Sequence, residues 1–382
     1  MLYVTGSLAD PAAGYAQATL QYLMALKTSG YENFQLSPVG EIVNWRLAPP
    51  WTEPLSYVRR TTEDHTNLAL IHWLPEFLTN KVFMRGSKAN YGLAVTEADR
   101  LPKWLVQQYN TLLSGLIVPT TWQRDVVVAS GVELPVEVLP HPQGDYFWRG
   151  VEQFRQQRDE HAPYTFYYVG TWAARKNPEA VLRAYLRAFP SPTHDTRLVI
   201  KISRHKGVRD FLSAFVSDLT GSTARLEQDV QVIDDFLTDA QLMWLHAAGD
   251  CFVSAHCSEG WGIGLSQAAL AGNRVISTNW SAPTTFLQAE AAGGVDIMVP
   301  YTMKDVIVDS TSTSFMFATT GEAKPQWASI DEDALVEALR RAAQERRVRS
   351  VQDTVALQNA LSWQTVGAQF RSMLERIEGG LS

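Results

Sequence analysis

Short apolar runs alternate along the chain with segments whose apolar residues recur at helical spacing. The run Leu2–Val4 predicts a strand that ends at Gly6, and the pattern from Gly14 to Lys27 predicts a helix. Further strands are predicted at 68–73, 91–95 and 116–118, with helices at 101–109 and 122–129. This alternation is typical of an open parallel β-sheet.

A second series of the same kind follows. Its predicted strands are 165–169, 197–202, 229–233, 250–254 and 274–277, and its predicted helices are 178–189, 208–219, 239–247 and 265–271. A Pro- and Gly-rich stretch near residue 140 and the polar stretch after it predict a linker. Only helices are expected at 331–349 and 361–377. The sequence therefore predicts two doubly wound α/β domains with a cleft between them, where ligands sit at the carboxyl ends of the strands.

Length and composition fit this organisation. With 382 residues, the chain is long enough for two domains, and 46% hydrophobic with 19% charged residues is typical of globular proteins. The net charge of −7 argues against non-specific binding of nucleic acid. Neither a signal peptide nor an apolar run of about 18 residues is evident. Cys251 and Cys257 are expected to be buried thiols, so a cytoplasmic location is expected.

The stretch EGWGIGLSQAALAG, from Glu259 to Gly272, joins a predicted strand to a predicted helix. The first amides of a helix lack intrahelical partners and carry the positive end of its dipole. Gly262 and Gly264 would let a ligand approach this backbone, so the stretch suits a diphosphate. Glu259 could then accept hydrogen bonds from sugar hydroxyls. A tight turn in which the glycines satisfy only backbone geometry is the alternative.

A second loop carries two cations. In VGTWAARKNPEAVL a predicted strand ends near Gly170, and Arg175 and Lys176 precede Pro178, which suits a first helical turn. Two cations in such a loop could neutralise a pyrophosphate. A solvated surface pair is the alternative for an isolated Arg-Lys dipeptide.

In this order the two loops resemble those of glycosyltransferase family 4 (glycosyl transferases group 1), retaining enzymes of the GT-B fold that use nucleotide sugars. The segments VEVLPHPQGDYF and SWQTVGAQFRSML also resemble parts of that family, and the resemblance is loosest in the first third of the chain. It implies two Rossmann-like domains that face each other across a cleft. Residues 1–145 would bind the acceptor and 146–360 the nucleotide sugar, while a C-terminal helix at 361–382 would cross back to the first domain.

The resemblance also implies residue roles. Glu259 matches a glutamate that contacts the donor sugar, and Lys176 matches a phosphate-binding lysine. The matching backbone donors to the diphosphate are Gly262, Ile263 and Gly264. Gly14 matches a glycine that approaches the donor from the first domain.

Three positions depart from the family pattern. Gln267 replaces a glutamate that binds the ribose, although an amide can still accept from a ribose hydroxyl. Thr171 replaces a phosphate-binding arginine, whose charge Arg175 could supply. Glu97 stands near the usual place of a histidine beside the transferred sugar, where it could bind an acceptor hydroxyl or the donor sugar. His72 ends another strand and is a further catalytic candidate, although histidines there are more often structural.

The implied reaction is transfer of a sugar from a nucleotide-diphosphate sugar, UDP- or GDP-linked, to an acceptor hydroxyl with retention and without a metal or cofactor. The expected acceptor is a glycan, a lipid-linked glycan or another hydroxyl, and a modified DNA base is a minority option. Peripheral membrane contact is left open. A GT-B epimerase or phosphorylase and a degenerate binding protein are the alternatives. Acceptor contacts are expected between Glu32 and Asn90. This region contains Trp45, Trp51, Trp73, Arg59, Arg60 and the basic run 81–88, and the alternative for each of these is a core or solvated surface residue.

Overall fold

The structure is a computed structural model. It describes residues 2–8, 14–39, 68–72, 87–192, 194–203, 207–307 and 323–381. Outside these ranges lie most of the region where acceptor contacts are expected, including Trp45, Trp51, Trp73, Arg59 and Arg60, and most of the run 81–88.

The described residues form strands and helices in alternation. The strands are β1 (Leu2–Ser7), β2 (Phe34–Val39), β3 (Leu68–His72), β4 (Ala89–Leu93), β5 (Gly115–Val118), β6 (Val136–Val138), β7 (Tyr164–Thr171), β8 (Thr196–Ser203), β9 (Val230–Ile233), β10 (Cys251–Ser254), β11 (Arg274–Thr278), β12 (Ile297–Val299), β13 (Tyr301–Asp305) and β14 (Gln326–Ile330). The helices are α1 (Gly14–Thr28), α2 (Lys103–Leu112), α3 (Thr121–Ala129), α4 (Asp145–Arg155), α5 (Pro178–Ala188), α6 (Val208–Thr220), α7 (Arg225–Gln228), α8 (Asp239–Ala248), α9 (Ile263–Leu270), α10 (Glu332–Glu345), α11 (Val351–Leu361) and α12 (Trp363–Gly379).

Two six-stranded parallel sheets organise the chain, as the strand–helix alternation predicts. The first has the order β2-β1-β3-β4-β5-β6 and the second the order β12-β11-β10-β7-β8-β9. Strands such as β3 and β10 are buried along their whole length, which explains their continuous apolar sequence. β13 and β14 form a separate antiparallel pair.

The chain divides into two compact units. The first contains Met1–Asp145, Met316–Pro325 and Gln358–Ser382, and the second contains Tyr146–Phe315 and Gln326–Leu357. The closing helix α12 therefore belongs to the first unit, where it packs against α1. A Cβ on Gly367 would lie 2.0 Å from the carbonyl oxygen of Ala25, so only glycine permits this approach. Trp363 Nε1 also donates to Gln21 Oε1 at 2.6 Å.

Several local predictions need correction. Part of the predicted linker is the helix α4, because Phe147 and Val151 pack against Met243 in a small apolar cluster. Strands β2, β6, β12, β13 and β14 were not predicted: β6 lies in the stretch interpreted as a linker, β2 contains a proline and β13 lacks a buried apolar face. The segment predicted as one helix at 331–349 ends at Glu345, where Arg346 adopts a left-handed conformation.

Three smaller findings come from the described residues. Cys251 and Cys257 are free and buried, as expected. Asp331 caps α10 by accepting from the amides of Asp333 and Ala334. No helix in the described part of the chain is long and apolar enough to span a membrane.

Candidate functional site

Two loops of the second unit meet at one edge of its sheet. β7 and β10 are parallel neighbours, with Cys251 in register with Phe166. Because carboxyl ends of parallel strands share an edge, the loop 172–177 after β7 and the loop 255–262 after β10 come together. This is the edge at which doubly wound folds bind ligands.

Glu259 is the centre of this arrangement. Its side chain is only 6% exposed, and Lys176 Nζ lies 2.6 Å from both Oε1 and Oε2. Arg175 Nη1 lies 3.3 Å from Oε2. The amide of Glu259 donates to Ser281 Oγ at 3.0 Å, which fixes the backbone as well. The three charged residues expected from the sequence are therefore brought together.

The two cations keep the buried carboxylate ionised. Burial is the largest influence and would raise the pKa of Glu259, but the charges of Lys176 and Arg175 outweigh it and lower the pKa to about 2. At neutral pH Glu259 is thus an acceptor of hydrogen bonds and a source of negative charge. It holds no proton to donate.

Gly262 shapes the entry to α9. Its φ of 86° lies in the left-handed region, and a Cβ there would lie 2.6 Å from Leu265 Cδ1. Among the described residues no side chain caps α9, so the amides of its first turn, which begins with Ile263 and Gly264, lack intrahelical partners. This end of the helix therefore favours an anion.

Gly264 has an additional structural role. A Cβ at this position would lie 3.1 Å from Phe252 Cζ and 3.4 Å from the carbonyl oxygen of Val169. The glycine therefore lets α9 pack closely on β10 and β7. Gln267 follows one turn later and is buried, with 6% of its surface exposed.

Strained backbone borders the site on two sides. Three described non-glycine residues have positive φ, and two of them are Asn177, which follows Lys176, and Ser281, which holds the amide of Glu259. Such conformations persist where the surroundings enforce them and often mark functional sites. Ser281 could not be identified from the sequence, because nothing around it signals a contact with a residue 22 positions earlier in the chain.

His256 was also missed. It is fully buried, with Nδ1 3.1 Å from Ser254 Oγ and Nε2 3.3 Å from the carbonyl oxygen of Trp280. Burial lowers its pKa to about 4, so the imidazole next to the Glu259 loop is neutral at pH 7. His256 could have been noticed in the sequence, since it lies three residues before Glu259.

Three candidates lie in the first unit. Gly14 begins α1 and is exposed, while Glu97 is half-buried after β4. His72 ends β3 with 2% of its surface exposed. His72 Nδ1 lies 2.7 Å from Thr19 Oγ1, whose hydroxyl also donates to the carbonyl of Tyr15 at 2.8 Å. Burial lowers the pKa of His72 to about 3, which keeps it neutral.

The described ranges contain no group of three or more His, Cys, Asp or Glu residues placed to hold a metal ion. Among the described residues, the charged side chains of the site are those of Lys176, Arg175 and Glu259.

Comparison with known proteins gives structural matches only. No protein-family model and no curated protein matches the sequence. HepE from Anabaena, crystallised with UDP and glucose, matches with a TM-score of 0.66 and 11% identity over 98% of this chain and 99% of that one. Sucrose-phosphate synthase from Thermosynechococcus elongatus matches with a TM-score of 0.71 and 12% identity over 99% of each chain.

A third match is an α,α-trehalose-phosphate synthase (UDP-forming) from Burkholderia xenovorans, in complex with glucose-6-phosphate. Its TM-score is 0.65 at 11% identity, over 98% of this chain and 99% of that one. At such low identity these similarities establish the fold. The chain has the GT-B fold of glycosyltransferases, as predicted.

Proposed function

We propose that the protein is a glycosyltransferase that moves a sugar from a nucleotide-diphosphate sugar to an acceptor hydroxyl, with retention of anomeric configuration and without a metal. The observation that carries the proposal is Glu259, a buried carboxylate that Lys176 and Arg175 hold ionised beside the uncapped start of α9. An anion site and a sugar-binding acceptor next to each other suit a nucleotide sugar.

The diphosphate would lie against Lys176 and the first amides of α9. Breaking the bond between sugar and phosphate builds negative charge on the departing phosphate. Lys176 is the more accessible partner of the pair, with 24% of its side chain exposed against 6% for Glu259. Its ammonium and the helix N-terminus would stabilise the developing charge, as a metal ion does in other transferases.

Glu259 would bind hydroxyls of the transferred sugar. Because its pKa is lowered to about 2, it would act at neutral pH as an acceptor and as a counter-charge to a positive sugar ring. The proton of the attacking acceptor hydroxyl would pass to the departing phosphate, as the resemblance to family 4 implies. Gln267 would lie near the ribose.

UDP is the first donor nucleotide to test. HepE was crystallised with UDP and with UDP-glucose, and the trehalose-phosphate synthase is described as UDP-forming. GDP-linked sugars are the second choice.

We propose that Gly14, Glu97 and His72 of the first unit contact the donor or the acceptor. The proposed acceptor is a glycan, a lipid-linked glycan or another hydroxyl. We also propose a cytoplasmic location.

The test is incubation of the protein with a panel of UDP-, GDP-, ADP- and dTDP-sugars, with mass spectrometry of the nucleotide and sugar products. We expect one donor to be consumed with release of its nucleoside diphosphate, and nuclear magnetic resonance of the product to show a retained anomeric centre. Glu259→Ala should abolish turnover, whereas Glu160→Ala should leave it unchanged, because the Glu160 side chain is 88% exposed.

Other outcomes would replace the proposal. Isomerised nucleotide sugar formed without an acceptor would identify an epimerase. Nucleotide binding without any consumption of donor would identify a binding protein, and undiminished turnover by Glu259→Ala would remove Glu259 from the mechanism.

A further inference from the structure

Arg175 contacts three successive residues of the loop that carries Glu259. Its carbonyl oxygen accepts from the amide of Cys257 at 2.7 Å. Its Nη1 donates to the carbonyl oxygen of Ser258 at 2.6 Å and lies 3.3 Å from Glu259 Oε2. The residue before it adds a further link, since Cys257 Sγ donates to the carbonyl oxygen of Ala174 at 3.5 Å. Arg175 therefore ties the cation loop to the glycine loop through both its backbone and its side chain.

The two cations differ in where they are placed. The Arg175 side chain is 12% exposed, while that of Lys176 is 24% exposed. The Arg175 side chain is thus more enclosed by the protein than the Lys176 side chain, although both contact Glu259. Lys176 can reach a diphosphate more readily than Arg175 can.

A diphosphate that draws Lys176 away would leave Glu259 with fewer partners. A buried carboxylate that loses its counter-ion is strongly destabilised or takes up a proton. Among the described residues, the charged or titratable groups coupled to Glu259 are Lys176, Arg175, His256 and Tyr168. His256 is neutral at pH 7 because burial lowers its pKa to about 4, and Tyr168 is neutral because burial raises its pKa. When Lys176 serves the diphosphate, Arg175 is the cation that remains for Glu259.

We propose that Arg175 is a positioning residue, which holds Glu259 ionised and in place for the donor sugar while Lys176 binds the diphosphate. This inference rests on the proposed function and refines the expectation that Arg175 supplies the phosphate contact missing at Thr171. On this account Arg175 acts through Glu259, and the phosphate is bound without it.

The test compares wild type with Arg175→Gln, Arg175→Lys, Lys176→Met and the control Arg209→Gln. Arg209 is a 63% exposed arginine of the same unit that pairs with Asp234. Titration calorimetry with UDP measures diphosphate binding, and turnover of the donor identified above gives kcat, KM and their pH dependence.

We expect Arg175→Gln to keep the UDP affinity within about threefold and to lower kcat at least tenfold, whereas Lys176→Met loses at least tenfold in UDP affinity. The acid limb of the Arg175→Gln pH profile should move to higher pH, because Glu259 loses a cation. Arg175→Lys should recover part of kcat, and Arg209→Gln should match wild type. A residue with only a structural role would not move the pH profile.

Two results would overturn the inference. The first is a loss of UDP affinity in Arg175→Gln as large as in Lys176→Met, which would make Arg175 a phosphate ligand. The second is an Arg175→Gln variant that keeps full kcat and an unchanged pH profile. If Arg175→Gln does not fold, Arg175→Lys decides, since a tenfold loss of UDP affinity there also contradicts the inference. A wild-type protein that neither binds UDP nor turns over any donor would instead remove the proposed function itself, and the role of Arg175 with it.

Discussion

The ionisation of Glu259 makes the stability of the protein depend on pH in a defined window. Burial opposes ionisation, yet Lys176 and Arg175 lower the pKa of Glu259 from 4.5 to about 2. A carboxylate whose pKa is depressed by folding stabilises the protein above its unfolded pKa, and this stabilisation is lost as the pH falls towards the folded pKa. The difference corresponds to about 3 kcal/mol at neutral pH, of which about 2 kcal/mol disappears between about pH 5 and about pH 3.

The perturbation is Glu259→Gln, which removes the titrating group with little change of shape. Urea unfolding, followed by tryptophan fluorescence at several pH values between about 3 and 7, measures the free energy of unfolding. Wild type should lose about 2 kcal/mol more than Glu259→Gln between about pH 5 and about pH 3. Glu160→Gln is the matched control and should follow wild type, because its side chain is exposed. Parallel curves for wild type and Glu259→Gln would refute the buried ion pair.

Three further substitutions test separate parts of the account. Gly262→Ala should lower the free energy of unfolding by about 1–3 kcal/mol in urea titrations, because alanine is strained at a φ of 86° and its Cβ would meet Leu265; no loss would contradict the observed turn. Gln267→Glu should raise UDP affinity about fivefold in calorimetry, because a carboxylate accepts more strongly from ribose hydroxyls; a weaker complex would argue that the amide is the better partner. Asp331→Ala should cost about 1 kcal/mol of stability through loss of the α10 cap and leave UDP affinity unchanged; weaker UDP binding would tie this helix to the site.

The elements that could be predicted are those with strong local patterns. Buried parallel strands such as β3 and β10 have continuous apolar sequences, and α1 has apolar residues at helical spacing with a glycine after it. Strand β13 escaped prediction because its exposure pattern has no apolar side to detect, and its partner β14 was missed with it although Trp327 and Ala328 are buried. The helix α4 looked like a linker because its surroundings are rich in Pro and Gly and its buried residues are few.

The charged residues and glycines of the candidate site could be predicted from the sequence, whereas the residues that hold them in place could not. Lys176 and Glu259 stand out in the sequence because their loops each follow an apolar strand. Their 2.6 Å contact depends on β7 and β10 being neighbours in the sheet, which the order of strands along the chain does not reveal. Ser281 and the carbonyl oxygen of Ser258 became visible only in three dimensions, since each contacts a residue far away in sequence.

We propose that Lys176, Glu259 and the first turn of α9 form a donor site, and a crystal structure of the wild-type protein with its UDP-sugar is the direct test. We expect a diphosphate within hydrogen-bond distance of Lys176 Nζ and the amides of Ile263 and Gly264, with a sugar hydroxyl bonded to Glu259. A donor bound elsewhere on the chain, or a diphosphate turned away from Lys176, would contradict it.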